Sequence, residues 1–173
     1  QPVSGELLER MSDLIRHRGP DDAGSYISRD GRVGLANRRL AIIDLSAAGR
    51  QPLGNEDGTI WIAYNGETYN FAELRAELQA RGHSFRSHSD TEVVVHLYEQ
   101  YGVECVQRMR GVFALAIWDE RQRRLFLARD RLGVKPLYYA FAPDAFLFAS
   151  EIKCLLAHPR LARAVDDEAF YHF

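Results

Sequence analysis

The sequence is poor in cysteine and has no long hydrophobic run. Two cysteines, Cys105 and Cys154, occur among 173 residues, and their spacing fits neither a zinc site nor a redox motif. Both fall in segments that read as helices, so we expect reduced, buried thiols in a cytoplasmic protein. No stretch approaches the ~18 apolar residues of a membrane-spanning helix, and no signal peptide is visible. We therefore expect no association with a membrane.

The chain also lacks an excess of charge of either sign. It has 22 basic and 24 acidic residues, for a net charge of −2. Such a balance gives no electrostatic attraction for nucleic acid. A hydrophobic content of 46% is ordinary for a globular protein, and the length suits one domain. We therefore expect a globular domain that binds no nucleic acid.

The most informative stretch starts at a β-branched and aromatic run. Ile60–Tyr64 predicts a buried strand, and Asn65-Gly66 predicts its end, because both residues tolerate turn conformations. Asn70 with Glu73 then predicts the N-cap of a helix. A side-chain amide beside a glycine N–H is also a suitable donor pair for a developing oxyanion. An ordinary strand–turn–helix accounts for the same residues.

Two charged positions border apolar segments. Arg38-Arg39 opens an apolar run, where a guanidinium fits either a bound carboxylate or a structural acid such as Asp44. Ser89 with Glu92 predicts a capping box, which places Asp90 in the first turn of a helix. Asp90 then either stabilises the helix dipole or binds an ammonium group. Residue types alone leave both pairs of alternatives open.

Periodicity predicts the remaining elements. Near-continuous apolar strands imply sheets covered on both faces, so we expect two packed sheets flanked by helices. The expected elements are a helix capped by Ser4, a hairpin around Asp30-Gly31, a helix ended by Gly82, strands at 113–118, 125–128, 137–141 and 146–149, and a short helix at 150–157.

Two charged loops and three histidines have no unique interpretation. The loop Arg16–Asp22 suggests either a self-paired charge cluster or a lid, and Arg129–Pro136 suggests either a charged connection or a partner-facing loop. His83, His88 and His96 show no metal-ligand spacing, so we expect them to be structural or at the surface.

Six runs occur in one order and together resemble a known family. They are His17–Asp21, Arg39–Asp44, Asn65–Asn70, Ser89–Glu92, Arg129–Tyr139 and Ser150–Lys153. This set resembles the glutaminase domain, a class II glutamine amidotransferase, of glutamine-dependent asparagine synthetase and its close relatives. The resemblance covers the chain from about Ser12 to Pro159.

The resemblance implies a fold and a reaction. The fold is the α+β N-terminal-nucleophile hydrolase fold, a four-layer αββα sandwich of two antiparallel sheets. In this family an N-terminal cysteine attacks the side-chain amide of glutamine, with its own α-amine as general base. The ammonia passes to a second domain, which uses ATP and Mg²⁺ to amidate an acceptor, by default aspartate to asparagine. No cofactor or metal is implied for the glutaminase domain itself.

The resemblance also assigns roles to residues of this chain. The Asn65 side chain and the Gly66 N–H would form the oxyanion hole. Arg39 would bind the α-carboxylate of L-glutamine, and Asp90, helped by Glu67, would bind its α-ammonium group. The backbone that lines the same pocket would be that of Leu40, Ala41, Ile42 and Ile43.

The nucleophile belongs to the family pattern, but the sequence does not contain it. The family's cysteine and its strand should precede Gln1, and neither Cys105 nor Cys154 has a free α-amine. We expect residues 1–159 to be the amidotransferase domain without its nucleophile strand, inactive by itself, and residues 160–173 to start the connection to an absent synthetase domain. The resemblance also suggests a homodimer. The alternative is a non-catalytic scaffold of the same fold.

Overall fold

The computed structural model describes residues 2–40, 46–165 and 167–172. Within these residues, no helix combines the length and apolar character needed to cross a bilayer. The helices are α1 (Gly5–Asp13), α2 (Phe71–Ala80), α3 (Asp90–Tyr101), α4 (Cys105–Arg108), α5 (Ile152–Leu155) and α6 (Asp167–Tyr171). The strands are β1 (Asp22–Ile27), β2 (Gly34–Arg39), β3 (Leu53–Gly54), β4 (Ile60–Thr68), β5 (Gly111–Asp119), β6 (Arg124–Arg129), β7 (Tyr138–Ala142) and β8 (Ala145–Ala149).

A four-stranded antiparallel sheet in the order β3-β4-β5-β6 is the centre of the fold. Its two long strands pair from Ile60 opposite Asp119 to Thr68 opposite Gly111. Side chains alternate between the two faces of a strand, so each face builds its own core. One face, with Ile62 and Ile117, packs against the apolar sides of α2 and α3.

The opposite face of this sheet is covered by two hairpins, β1-β2 and β7-β8. Trp61 stacks on Tyr26 of β1 with ring centroids 4.1 Å apart, and Phe148 of β8 packs on the same cluster. Helix α1 lies on β2, and α5 lies on β8. The layers therefore follow the predicted αββα order, with the second layer made of two separate antiparallel ladders.

Most local predictions agree with the structure. Ser4 caps α1, since its Oγ accepts a hydrogen bond from the Leu7 N–H at 3.2 Å. Asp30-Gly31 turns the first hairpin, and Gly82, with a φ of 96°, follows the end of α2. All four strands predicted in the second half are present as β5 to β8, and the short helix is α5. The two-residue strand β3 lies in a connection to which we assigned no structure.

Three local predictions were wrong in detail. Asn65-Gly66 does not end the strand, because β4 continues to Thr68. Asn70 does not cap α2 with its side chain, which instead bonds the Arg108 carbonyl and the Arg110 N–H. The predicted Ser89–Glu92 capping box forms only in part. Ser89 caps α3 as expected, but the Glu92 carboxylate accepts from the N–H groups of residues 86 and 87.

Gly66 has a steric reason to be glycine. A Cβ at this position would lie 2.3 Å from the Val112 carbonyl oxygen and 2.7 Å from the Phe113 Cα. Both contacts are with backbone of the paired strand, which cannot move without disturbing the ladder. The glycine therefore permits β4 to continue along β5 at this point.

We predict that Gly66→Ala lowers the free energy of unfolding by about 3 kcal/mol or more, because the added methyl overlaps main-chain atoms. Urea unfolding followed by circular dichroism measures the change. Gly5→Ala is the matched control, since the nearest atom to its added Cβ is 3.9 Å away, and we expect a change within about 0.5 kcal/mol. Equal stability of the two variants would contradict the steric account.

Candidate active site

A cavity of about 1160 Å³ lies between the two hairpins, above the central sheet. Its floor includes Ala63, Asn65 and Ala114, and its walls come from β2, β8, α1 and α5. All described members of the predicted site line it: Arg39, Leu40, Asn65, Gly66, Glu67 and Asp90. Predicted pocket residues Ala41, Ile42 and Ile43 lie outside the described residues, as does Asp44.

The backbone N–H groups of β4 determine which hydrogen-bond donors are available at its edges. Tyr69 N donates to the Arg110 carbonyl at 2.7 Å, so the odd-numbered N–H groups of β4 face β5. The even-numbered ones point to the opposite edge. There Tyr64 N donates to Gln51 Oε1 at 2.7 Å, and Thr68 N donates to Asp90 Oδ2 at 2.9 Å. By the same alternation, the Gly66 N–H points to this edge between the two.

Asn65 adds a second donor beside Gly66. Its amide nitrogen Nδ2 is buried and has no hydrogen-bond partner among the described residues. A buried donor without a partner costs roughly 1–3 kcal/mol. Such groups are rare in folded proteins, and a bound oxygen atom would satisfy this one.

Asp90 lies at the start of α3 and is fixed to the same strand. It is 5% exposed and holds Thr68 N through Oδ2. Burial raises the pKa of the Asp90 carboxyl, and the nearby Glu67 raises it further, while the N–H groups of Thr68 and Thr91 act in the opposite direction. A cation placed in the cavity beside Asp90 would favour the ionised carboxylate.

Arg39 is the last residue of β2, and two glycines lie close to it. A Cβ on Gly49 would lie 2.5 Å from Arg39 Nη2, and a Cβ on Gly19 would lie 2.3 Å from the Arg38 carbonyl carbon. Arg39 Nη1 donates to the Ser46 carbonyl at 3.3 Å. Arg38 forms an ion pair with Asp13, so the structural acid of the neighbouring arginine is on α1.

The loop Arg16–Asp22 is paired with a distant segment. His17 Nε2 lies 3.0 Å from Glu151 Oε1, and Arg18 Nη1 lies 3.3 Å from the same oxygen. The interpretation of a self-paired loop was therefore wrong for these two cations. Lys153 and then Arg18 and His17 lower the pKa of Glu151. Two of the six recognised runs thus meet through these ion pairs.

The second charged loop is closed on itself. Asp130 is buried and accepts hydrogen bonds from the N–H groups of Val134 at 2.9 Å and Lys135 at 3.0 Å. Arg129 Nε donates to the Lys135 carbonyl at 2.6 Å. Leu132 is 90% exposed at its tip. The charged connection that we considered is therefore a compact turn, and its apolar tip leaves the partner-facing alternative open.

Sequence reasoning missed Gln51. Its side chain is buried and lines the cavity, where Oε1 accepts from Tyr64 N and Nε2 donates to Thr91 Oγ1 at 3.2 Å. It therefore joins β4 to the first turn of α3. The residue lies in an irregular connection, where neither periodicity nor a motif marks it.

We predict that Asp90→Asn raises the melting temperature at pH 7. The folded pKa of Asp90 is above the unfolded value, so the folded state binds more protons and its stability falls as pH rises from about 4 through the folded pKa. Asparagine at position 90 does not titrate, so it removes this pH-dependent loss of stability. Its side-chain oxygen can still accept from Thr68 N. The expected rise is about 2–4 °C for each kcal/mol recovered.

Scanning calorimetry between pH 3 and 8 measures this effect. Asp167→Asn, at an exposed residue of α6, is the control and should leave the curve unchanged. A variant at position 90 that melts below the wild type at pH 7 would show that the carboxylate stabilises the fold.

Comparison of the sequence with known proteins identifies a family. The chain matches the glutamine amidotransferase domain family over residues 1–173. It is 47% identical over 163 residues to asparagine synthetase (glutamine-hydrolyzing) 3 of Bacillus subtilis strain 168. This match covers 93% of the chain and 26% of that protein. It is 45% identical over 152 residues to amidase chry2 of Gibberella zeae, covering 88% of the chain and 22% of that protein.

A solved structure has the same fold. The glutamine phosphoribosylpyrophosphate amidotransferase of B. subtilis superposes with a TM-score of 0.77 at 22% identity, covering 91% of the chain and 41% of that protein. This likeness confirms the predicted α+β sandwich of antiparallel sheets. The chain spans about a quarter of the length of the two curated relatives. The family match and the identity to those relatives show that the chain belongs to the glutamine amidotransferase domain family.

Proposed function

We propose that the chain binds L-glutamine in the cavity and forms the glutaminase part of a longer amidotransferase. The observation that carries the proposal is the pair of donors at the edge of β4. The buried Nδ2 of Asn65 has no hydrogen-bond partner among the described residues, and the Gly66 N–H points to the same edge. Arg39 and Asp90 line the same cavity.

The donor pair suits the chemistry of amide hydrolysis. Attack on the side-chain amide of glutamine moves negative charge onto its carbonyl oxygen. Donors that are already in position stabilise this charge without reorganising, and removal of one typically costs about 3 kcal/mol of transition-state stabilisation. Gln51 and Asp90 support this arrangement, because they hold the N–H groups of Tyr64 and Thr68 on either side of Gly66.

The two charged residues suit the two ends of a free amino acid. A guanidinium binds a carboxylate through paired hydrogen bonds, which supports Arg39 as the partner of the α-carboxylate. A buried carboxylate with a raised pKa gains most from a cationic partner, which supports Asp90 for the α-ammonium group. Glu67 adds negative charge beside it. For Leu40, Ala41, Ile42 and Ile43, we retain the proposed backbone lining of the pocket.

The nucleophile is proposed to lie outside the 173 residues. Cys105 is 0% exposed, and burial raises the pKa of its thiol to about 12. Cys154 borders the cavity but is 1% exposed, and burial also raises the pKa of its thiol. A nucleophilic cysteine needs a lowered pKa or a neighbouring base. An N-terminal cysteine preceding Gln1 would supply its own base, and without it we expect no hydrolysis.

The fate of the ammonia follows from the proposed parent protein. We propose that a synthetase domain of that protein receives the ammonia and uses ATP and Mg²⁺, with aspartate as the default acceptor. The proposal leaves the acceptor open beyond this default, because the curated matches differ in name, one being an asparagine synthetase and another an amidase. Association of the parent as a homodimer is part of the same proposal.

We predict that Asn65→Ala in the full-length parent protein lowers kcat for glutamine hydrolysis by about 10²–10³-fold, with KM for glutamine changed much less. The reason is that the lost hydrogen bond strengthens only as the oxyanion forms. Glutamate release measures the rate. Synthesis driven by added ammonium salt is the internal control and should be unchanged.

Two outcomes would contradict the proposal. A variant with wild-type hydrolysis would remove Asn65 from the oxyanion hole. A wild-type parent protein with no hydrolysis, in which calorimetry detects no binding of glutamine at millimolar concentration, would instead support the non-catalytic scaffold.

A further inference from the structure

A second cluster of ionisable side chains lies outside the amidotransferase cavity. It contains His83 from the connection between α2 and α3, and His96 and Glu99 from α3. One ligand atom from each residue lies within 4.8 Å of the other two. None of the three lines the cavity. Sequence spacing gave no reason to expect a metal here, because His83 is distant in sequence from His96 and Glu99 and comes close to them only in the folded chain.

The separation of Glu99 from His83 suits a small cation, and its separation from His96 is shorter. Glu99 Oε2 lies 2.6 Å from His96 Nδ1 and 3.5 Å from His83 Nδ1. A tetrahedral zinc ion with bonds of about 2.0–2.2 Å separates neighbouring ligand atoms by roughly 3.3–3.6 Å. The His83–Glu99 separation already has this value, and the His96–Glu99 pair would have to open by about 0.7 Å.

The remaining polar atoms of these ligands are held by other groups. Asn55 Nδ2 donates to Glu99 Oε1 at 2.7 Å, and His83 Nε2 lies 3.2 Å from Gln100 Oε1. The hydrogen bond from Asn55 fixes the orientation of the Glu99 carboxylate, as in protein sites where outer hydrogen bonds orient metal ligands.

The ring of His96 is buried among carboxylates. His96 is 1% exposed, and its Nε2 has no hydrogen-bond partner among the described residues. The charged groups that face Nε2 are carboxylates, with Glu56 Oε1 at 3.5 Å and Glu92 Oε1 at 4.0 Å. Carboxylate oxygens therefore lie on both sides of the His96 ring, and their negative charge would favour a cation shared by Nδ1 and Glu99 Oε2.

We propose that His83, His96 and Glu99 bind one divalent transition-metal ion, for which Zn²⁺ is the best-suited probe. Two imidazole nitrogens and one carboxylate oxygen are a common zinc donor set, and water would complete the tetrahedron. The ion would fix the α2–α3 connection to α3. This site is independent of the proposed glutaminase function.

The test is a titration of the protein with Zn²⁺ after removal of metal by a chelator, followed by calorimetry. The wild type should bind one equivalent. His83→Ala and Glu99→Gln should each weaken binding by about 100-fold or more, because each removes one of three ligands. His88→Ala, at an exposed histidine of the same connection, is the matched control and should bind as the wild type does.

A second measurement separates a metal site from a protonated histidine. Bound Co²⁺ should give the intense visible absorption of a tetrahedral complex in the wild type and in His88→Ala, and not in His83→Ala. Circular dichroism checks that each variant is folded. Absence of saturable Zn²⁺ binding by the wild type, or equal binding by His83→Ala, would overturn the proposal and identify a proton as the bridge between His96 and Glu99.

Discussion

The free edge of β4 between Tyr64 and Thr68 is the feature on which the candidate site depends. An antiparallel strand directs alternate N–H groups to its two sides, so the pairing of β4 with β5 fixes which groups are available at the cavity. Gln51 and Asp90 accept from two of them. Gly66 lies between these two positions, next to the buried amide of Asn65. Backbone register therefore positions the donors, and loop conformation does not.

The same arrangement places the charged residues. Asp90 is bound to Thr68 of β4 and begins α3, whose apolar face packs on the opposite side of the sheet. Gln51 connects β4 to Thr91 in the first turn of that helix. The helix, the strand and the irregular connection around residue 51 are thus linked by hydrogen bonds at one corner. The burial that orients Asp90 also raises its pKa, so the carboxylate is less stable without a bound cation than with one.

Much of the fold could be predicted from the sequence, because its signals are local. Alternating or continuous apolar runs indicated the strands, Ser4 and Ser89 marked helix starts, and the six ordered runs indicated the family and its candidate residues. The errors came from tertiary context. Asn65-Gly66 resembles a turn, yet pairing with β5 keeps the strand extended. Asn70 resembles a cap, but its amide bonds to the chain at residues 108 and 110.

Other features depend on residues that are far apart in sequence, so no local pattern predicts them. Gln51 belongs to the site through hydrogen bonds to Tyr64, which is 13 positions away in sequence, and to Thr91, which is 40 positions away. His17 and Arg18 meet Glu151 across 134 and 133 positions. His83 approaches His96 because α2 and α3 pack side by side. Long-range pairs of this kind depend on the completed topology, and residue type and spacing do not reveal them.

A titration of the isotope-labelled protein with L-glutamine, followed by NMR, tests the central claim most directly. If the edge of β4 receives the substrate amide, the side-chain NH₂ of Asn65 and the N–H of Gly66 should shift together and saturate at one dissociation constant. The neighbouring N–H groups of Tyr64 and Thr68 should move less, because their acceptors stay in place. Saturable binding that shifts neither Asn65 nor Gly66 would contradict the account.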